Sequence, residues 1–334
     1  MSQPATYAAG VRRPYRDLPE RVRAWVDEVL GEPVATVADK RGGFSPGVAA
    51  VVTGASGRSL FIKAVGSAVN PDAIRMYQEE QQHSARLPDI EFIPRTVAVA
   101  ELAVGEERYA VSALPAIDAA PPPHPWRLAD ANRAFDTIAE LGDRLTPSPW
   151  SDAVDRTDGA DGPGGELDRF YSGWRRQAEQ DQDPWREDPW IGPRLSRFAE
   201  LEARTVELMS GDTLSHTDLR ADNLLFGDDR VWVVDWAAAQ NAARWVDPVI
   251  LLADLVVSRA DRGDGGEIDI ARFAVEHPAL KGVDFELTWA GVCLLAGALH
   301  RMSLLPDPPG LPTIRPWQSQ CADTMITWCR RTEP

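Results

Sequence analysis

The segment from His216 to Trp236 constrains this chain more than any other. It reads His216-Thr217-Asp218-Leu219-Arg220-Ala221-Asp222-Asn223, then Leu224-Leu225-Phe226, the turn Gly227-Asp228-Asp229, and Val231-Trp232-Val233-Val234-Asp235-Trp236. Two short apolar runs about a Gly-Asp-Asp turn predict a β-hairpin. Asp218 and Asn223 precede the hairpin and Asp235 leaves it. A hairpin returns its exit close to its start, so two carboxylates and an amide converge at one end. These are hard oxygen donors suited to Mg²⁺, with one acid left to meet a substrate proton. Any one of these aspartates alone reads as a turn or surface residue; the ordered set carries the weight.

The spacing of His216, Asp218 and Asn223, followed by an apolar strand ending in Asp235, is that of a kinase catalytic loop and its metal-binding aspartate. The segment resembles the aminoglycoside phosphotransferase and choline kinase-like family of the protein-kinase-like superfamily. In that family the second aspartate is typically followed by Trp, as Asp235 is by Trp236. The resemblance covers roughly residues 34 to 260 and is sharpest over 214–236. It implies an α+β, two-lobed protein-kinase-like fold, with a small antiparallel-sheet lobe carrying one main helix and a larger, mainly helical lobe. The length of 334 residues fits two lobes sharing a cleft.

Composition narrows the partners. A net charge of −16 argues against nucleic acid, whose phosphates demand a basic face. The same charge is compatible with a cationic small molecule, which an acidic cleft would concentrate. There is no apolar run of the roughly 18–20 residues needed to span a bilayer. The start, Met-Ser-Gln-Pro-Ala-Thr-Tyr, lacks a basic end followed by an apolar stretch, so no secretory signal is expected. The three cysteines, Cys293, Cys321 and Cys329, make no metal-ligand pattern and suggest reduced thiols and a cytoplasmic location. Lysine occurs only at Lys40, Lys63 and Lys281, so each one merits attention in a chain that otherwise uses arginine.

Along the chain, Asp17 to Leu30 predicts a helix with Val22, Trp25, Val26, Val29 and Leu30 on one face. Strands are expected over 34–40, 48–53, 59–65, 96–101 and 108–113, with a helix over 71–87 between the third and fourth. Residues 114–126 hold five prolines and read as a hinge and linker. This divides the chain into a nucleotide-binding lobe, 1–113, the hinge, 114–126, and a catalytic and substrate-binding lobe, 127–334. Helices are expected over 128–145, 167–179, 193–209, 243–259, 285–304 and 317–330, and a loop over 148–165. Trp126, Trp150, Trp174, Trp185 and Trp190 cluster in and after the linker. Their main expectation is packing, with sugar or ammonium binding as the alternative.

The resemblance also implies roles. Lys63, near the end of the third strand, falls where this fold grips nucleotide phosphates, and needs an acid to hold it. Glu80 lies on the otherwise apolar stripe of the following helix, and an acid on a buried stripe ordinarily has a partner; Glu79 points to the other face. Gly43 and Ser45 belong to the loop after the first strand, where backbone approaches phosphate. Ser112 and Leu114 fall at the hinge, where adenine would meet backbone. Asp218 would orient the acceptor hydroxyl and take its proton, and Arg220 would balance charge on the transferring group. Asn223 and Asp235 would hold Mg²⁺. His216 and Asp247 read as structural braces.

The function expected is transfer of the terminal phosphoryl group of ATP or GTP to a hydroxyl of a small molecule. Candidate acceptors are an aminoglycoside, amino sugar, choline-like amine or other natural product. The alternative is a silent pseudokinase or nucleotide-binding protein, against which the intact set of Lys63, Asp218, Asn223 and Asp235 speaks. A protein serine kinase is disfavoured by the lack of Asp-Phe-Gly and Ala-Pro-Glu landmarks.

Overall fold

The computed structural model describes residues 12–40, 47–68, 71–150, 165–180, 183–259 and 266–334. The chain is of the α+β class and divides into two compact units. One comprises Met1–Pro121, Asp222–Ala238 and Pro306–Ile314; the other comprises Pro122–Ala221, Ala239–Leu305 and Arg315–Pro334.

The first unit is built on a five-stranded antiparallel sheet. Its strands are β1 (Val34–Asp39), β2 (Val48–Gly54), β3 (Ser59–Gly66), β4 (Ala98–Val104) and β5 (Glu107–Pro115), in the order β1-β2-β3-β5-β4. Helix α1 (Glu20–Leu30) places Val22, Val26 and Leu30 against Val48, Ala50, Val52, Leu60, Ile62 and Val111. Each such aliphatic side chain stabilises the unit by roughly 1.5–3 kcal/mol when fully buried. The helix starts at Glu20 rather than at Asp17, because Tyr15–Asp17 form a separate 3-10 turn and Pro19 fixes the N-terminal boundary. It ends at Gly31, whose φ of 84° is a left-handed cap that a glycine adopts without a Cβ penalty.

Helix α2 (Pro71–Arg86) packs beside β3 and β5, with Ile74 and Tyr77 against Val65 and Ala110. Strand residues alternate between faces with a period of two. Lys63 therefore shares the face of Val65, while Ile62 and Ala64 join the α1 side of the core. The same unit holds the expected hairpin, β7 (Leu224–Phe226) with β8 (Val231–Val233), in the register Leu224↔Val233. Its turn closes through Gly227 N–H to the Arg230 carbonyl at 3.0 Å.

The second unit is mainly helical: α3 (Leu128–Arg144), α4 (Gly165–Phe170), α5 (Gly173–Glu179), α6 (Leu195–Leu208), α7 (Val246–Val257), α8 (Ile270–Glu276), α9 (Phe285–Ser303) and α10 (Ile314–Thr332), whose first residue belongs to the other unit by contact. Strands β6 (Thr213–Ser215) and β9 (Gln240–Ala242) pair antiparallel. The single helix expected over 167–179 is two helices. The break has a tertiary cause: the fully buried Glu202 carboxylate accepts the Trp174 and Arg175 amides at 2.8 and 3.2 Å and so starts α5. Gly297 of α9 lets Trp174 close in, since a Cβ there would lie 2.5 Å from the indole nitrogen. Trp174 in turn donates to the Cys293 carbonyl at 2.9 Å. Trp126, Trp150, Trp174 and Trp185 are buried, and Trp190 packs on Phe198, so this cluster is packing. Of the expected loop over 148–165, residues 151–164 lie outside the described residues. No helix among the described residues is long and apolar enough to cross a membrane.

Candidate active site

The first unit brings Lys63, Glu80 and Asp235 together. Lys63 stands in register between Ala49 of β2 and Ser112 of β5, and is 8% exposed. Its ammonium lies 2.6 and 2.7 Å from the two Glu80 oxygens and 3.4 Å from Asp235 Oδ1. Burial alone would push the lysine pKa down. The Asp235 and Glu80 carboxylates outweigh it, with Tyr77 adding to them, and hold the pKa above the ordinary lysine value. The Tyr77 ring centroid is 5.5 Å from the ammonium. Glu79, by contrast, pairs at the surface with Arg75 at 2.8 Å.

The hairpin fixes Asn223 and Asp235. Asn223 closes a 3-10 turn just before β7 and is buried. Its carbonyl accepts the Val234 amide at 3.0 Å, which extends the β7–β8 pairing outward and puts Asn223 and Asp235 at one end of the hairpin. Asp235 adopts a left-handed φ of 66°, a conformation that costs a non-glycine residue of order 1–3 kcal/mol and is tolerated where surroundings hold it. Those surroundings include the buried Trp236, whose indole donates to the Val233 carbonyl at 3.0 Å.

His83 is a residue the sequence reading missed. Its Nδ1 lies 3.3 Å from the Trp236 carbonyl and 3.0 Å from that of Ala237. Carbonyls only accept, so Nδ1 carries the proton and donates. His83 thus anchors the backbone immediately after Asp235. The available signal was its place one helical step beyond Glu80 on the buried stripe of α2, with Ile74 and Tyr77.

Ser112 and Leu114 sit on β5, opposite Lys63 and Phe61 respectively. The Ser112 hydroxyl accepts from Gln81 at 3.0 Å, and Ser112 stands in register with Val99 of β4 on its other side. Gly43 and Ser45 lie outside the described residues.

The second unit holds Asp218 and Arg220. After β6, the His216 and Thr217 amides each donate to Asp247 at 2.8 Å. Thr217 takes a left-handed φ of 58°. The Asp218 amide donates back to His216 Nδ1 at 3.3 Å. Burial pushes the Asp247 carboxyl up, while His216 and the two amides pull it down. His216 and Asp247 are therefore backbone braces that shape the turn presenting Asp218. Leu219 and Ala221 are fully buried, and anchor the segment on either side of Arg220. Arg220 pairs with Asp218 Oδ1. Tyr171, unmarked in the sequence, is a further neighbour: burial pushes its phenol well up, and the Asp218 and Asp247 carboxylates add to the shift.

The donor set can be tested against Mg²⁺. Among the described residues no three His, Cys, Asp or Glu side chains gather as a metal cage. A carboxylate and an amide oxygen at one hairpin end fit instead an ion that keeps water and phosphate oxygens as its other ligands, the usual habit of Mg²⁺.

The chain belongs to the phosphotransferase enzyme family (APH), whose sequence model matches residues 38–283. It is a phosphotransferase. Among solved structures it is similar to choline kinase LicA from Streptococcus pneumoniae, at 13% identity over 92% of this chain and 98% of that chain, with a TM-score of 0.57. It is similar to choline kinase from Cryptosporidium parvum Iowa II, at 14% identity over 89% and 88%, with a TM-score of 0.53. A thermostable variant of aminoglycoside phosphotransferase APH(4)-Ia, in ternary complex with AMP-PNP and hygromycin B, matches at 16% identity over 92% and 99%, with a TM-score of 0.53. At such identities the likeness establishes the protein-kinase-like fold. No curated protein sequence matches the chain.

Proposed function

We propose that the chain transfers the terminal phosphoryl group of ATP or GTP to a hydroxyl of a small natural product, of the aminoglycoside, amino sugar or choline-like kind. The observation that carries this reading is the buried Lys63–Glu80 pair with Asp235 3.4 Å from the same ammonium. A lysine held straight by a carboxylate, beside an aspartate at a hairpin end, suits a nucleotide's phosphates and their cation. Residues 1–113 would form the nucleotide-binding lobe, 114–126 its hinge and 127–334 the catalytic and acceptor-binding lobe.

Within this reading Lys63 grips the phosphates, and Gly43 and Ser45 approach the terminal one. Ser112 and Leu114 present backbone to the base. Asn223 and Asp235 hold Mg²⁺, which supplies charge neutralisation to the phosphates when bound. Asp218 orients the acceptor hydroxyl and takes its proton as the oxygen–phosphorus bond forms and the nucleoside diphosphate departs. The transition state is loose, so positioning counts for as much as basicity. Arg220 offsets negative charge on the group in transit. A cytoplasmic protein would meet both nucleotides there.

The experiment is a panel of aminoglycosides, amino sugars, choline-like amines and neutral sugars, each with ATP and with GTP and Mg²⁺. Mass spectrometry reads an added phosphate. A product with one acceptor and none with Asp218→Asn supports the reading. Nucleotide binding without transfer to any acceptor would favour the silent nucleotide-binding alternative.

A further inference from the structure

We propose that Trp317, on the C-terminal helix α10, is a positioning residue for the transfer reaction: its indole face fixes the Arg220 guanidinium against the Asp218 carboxylate. The proposal rests on the reading of Asp218 as the residue that orients the acceptor.

The guanidinium carbon of Arg220 lies 5.9 Å from the centroid of the Trp317 ring, within the range of a cation–π contact. The same guanidinium pairs with Asp218 Oδ1. Its side chain is 19% exposed, against 43% for Asp218, so it is the more enclosed of the pair. A second observation places the charge along α10. Cys321 stands one turn beyond Trp317. Burial and Asp254 push its thiol up, and Arg220 pulls it down. Arg220 therefore lies near Cys321 as well as Trp317. The first turn of that helix is held by Arg315, which donates to the buried Gln318 at 2.9 Å.

An arginine two residues from a carboxylate has many rotamers available, and few of them keep the pair. A planar guanidinium against a planar indole loses that freedom before the substrate arrives. The carboxylate it holds then keeps one orientation toward the hydroxyl it must align. Small displacements of such a group are costly to rate. This gives the C-terminal helix a part in catalysis that no motif in its sequence marks.

The test uses the full chain with ATP, Mg²⁺ and the acceptor identified by the panel, or water as acceptor where phosphate release is read instead. Trp317→Leu should lower kcat roughly tenfold, the scale of a partly desolvated cation–π contact, with the KM for ATP unchanged. Trp317→Phe, which keeps an aromatic face, should restore most of the loss. In the Arg220→Met background, Trp317→Leu should cost nothing further. Arginine-labelled protein adds a readout independent of activity: the Arg220 side-chain resonances should lose a ring-current shift in Trp317→Leu. Equal losses in both backgrounds, no rescue by Phe, or an unchanged kcat would overturn the proposal. Near-normal turnover in Asp218→Asn would instead remove the underlying reading, and a wild type that transfers to neither acceptor nor water would remove both.

Discussion

Replacing Glu80 with Gln should destabilise the protein far more than replacing its neighbour Glu79. The Lys63 ammonium sits 2.6 Å from Glu80, and both side chains are about nine-tenths buried, at 10% and 11% exposure. At that separation the gross attraction is about 6 kcal/mol with an effective dielectric of about 20. Desolvating two ions offsets most of it, so the pair adds little net stability. Removing one partner is different, because it strands a buried charge and costs about 3–5 kcal/mol. Asp235 Oδ1 remains 3.4 Å from the ammonium but is 37% exposed, so it compensates only in part. The expected loss for Glu80→Gln is therefore about 3 kcal/mol, at the low end of that range. Glu79 pairs with Arg75 in solvent, and Glu79→Gln should stay within about 0.5 kcal/mol of wild type. Urea unfolding followed by tryptophan fluorescence reads both. Lys63→Met with Glu80→Gln in one chain should lose less than the sum of the singles by about 0.5–3 kcal/mol. Additive losses, or equal effects at Glu79 and Glu80, would refute the reasoning.

Other outcomes follow from the same geometry. Asp218→Asn should leave nucleotide binding nearly intact and lower turnover by roughly 10²–10⁴-fold, checked by calorimetry and steady-state kinetics on one preparation. Asp235→Ala should weaken Mg²⁺-dependent nucleotide binding more than Asn223→Ala, because a carboxylate brings charge as well as an oxygen; titrations with and without Mg²⁺ decide it. His83→Phe should cost Mg²⁺–nucleotide affinity roughly tenfold, the usual scale for a residue that orients a ligand from behind, and unchanged affinity would show that the backbone after Asp235 needs no such anchor. The fourth concerns acid. Burial lowers the His277 pKa below its ordinary 6.5, against the opposing Asp136, and its Nδ1 accepts the Ala279 amide at 3.2 Å. A depressed histidine binds its proton more readily when unfolded, so its contribution is complete above about pH 6.5 and is lost as pH falls through the folded-state value. His277→Gln should flatten the fall in stability between pH 7.5 and 5.5, and an unchanged slope in urea unfolding would count against it.

Much of the small unit was legible because its signals are local. The strand pattern with period two, the apolar stripe of α1 and the Gly-Asp-Asp turn each specify structure within a few residues. The same is true of Glu80: a helical period of 3.6 separates it from Glu79 without knowledge of anything else. The break between α4 and α5 was illegible because its cause, Glu202, lies on another helix. Strands β6 and β9 are three residues each, too short to show alternation. His83 and Trp317 were passed over for a related reason. Each acts on a residue far away in sequence, His83 on the backbone after Asp235 and Trp317 on Arg220. Side-chain identity alone names no partner at such a distance.

Helix α2 carries four of the contacts described above on consecutive turns. Tyr77 and Glu80 meet Lys63, Gln81 meets Ser112, and His83 meets the carbonyls beyond Asp235. A helix is stiff, so these contacts share a single mechanical coordinate. Turning α2 by one residue, about 100°, would break them all together. Lys63 and the hairpin-end Asp235 are thereby geared to each other through a rod whose opposite face, at Gln82 and Ala85, looks out to solvent. Whatever turns that rod from outside reaches both residues at once.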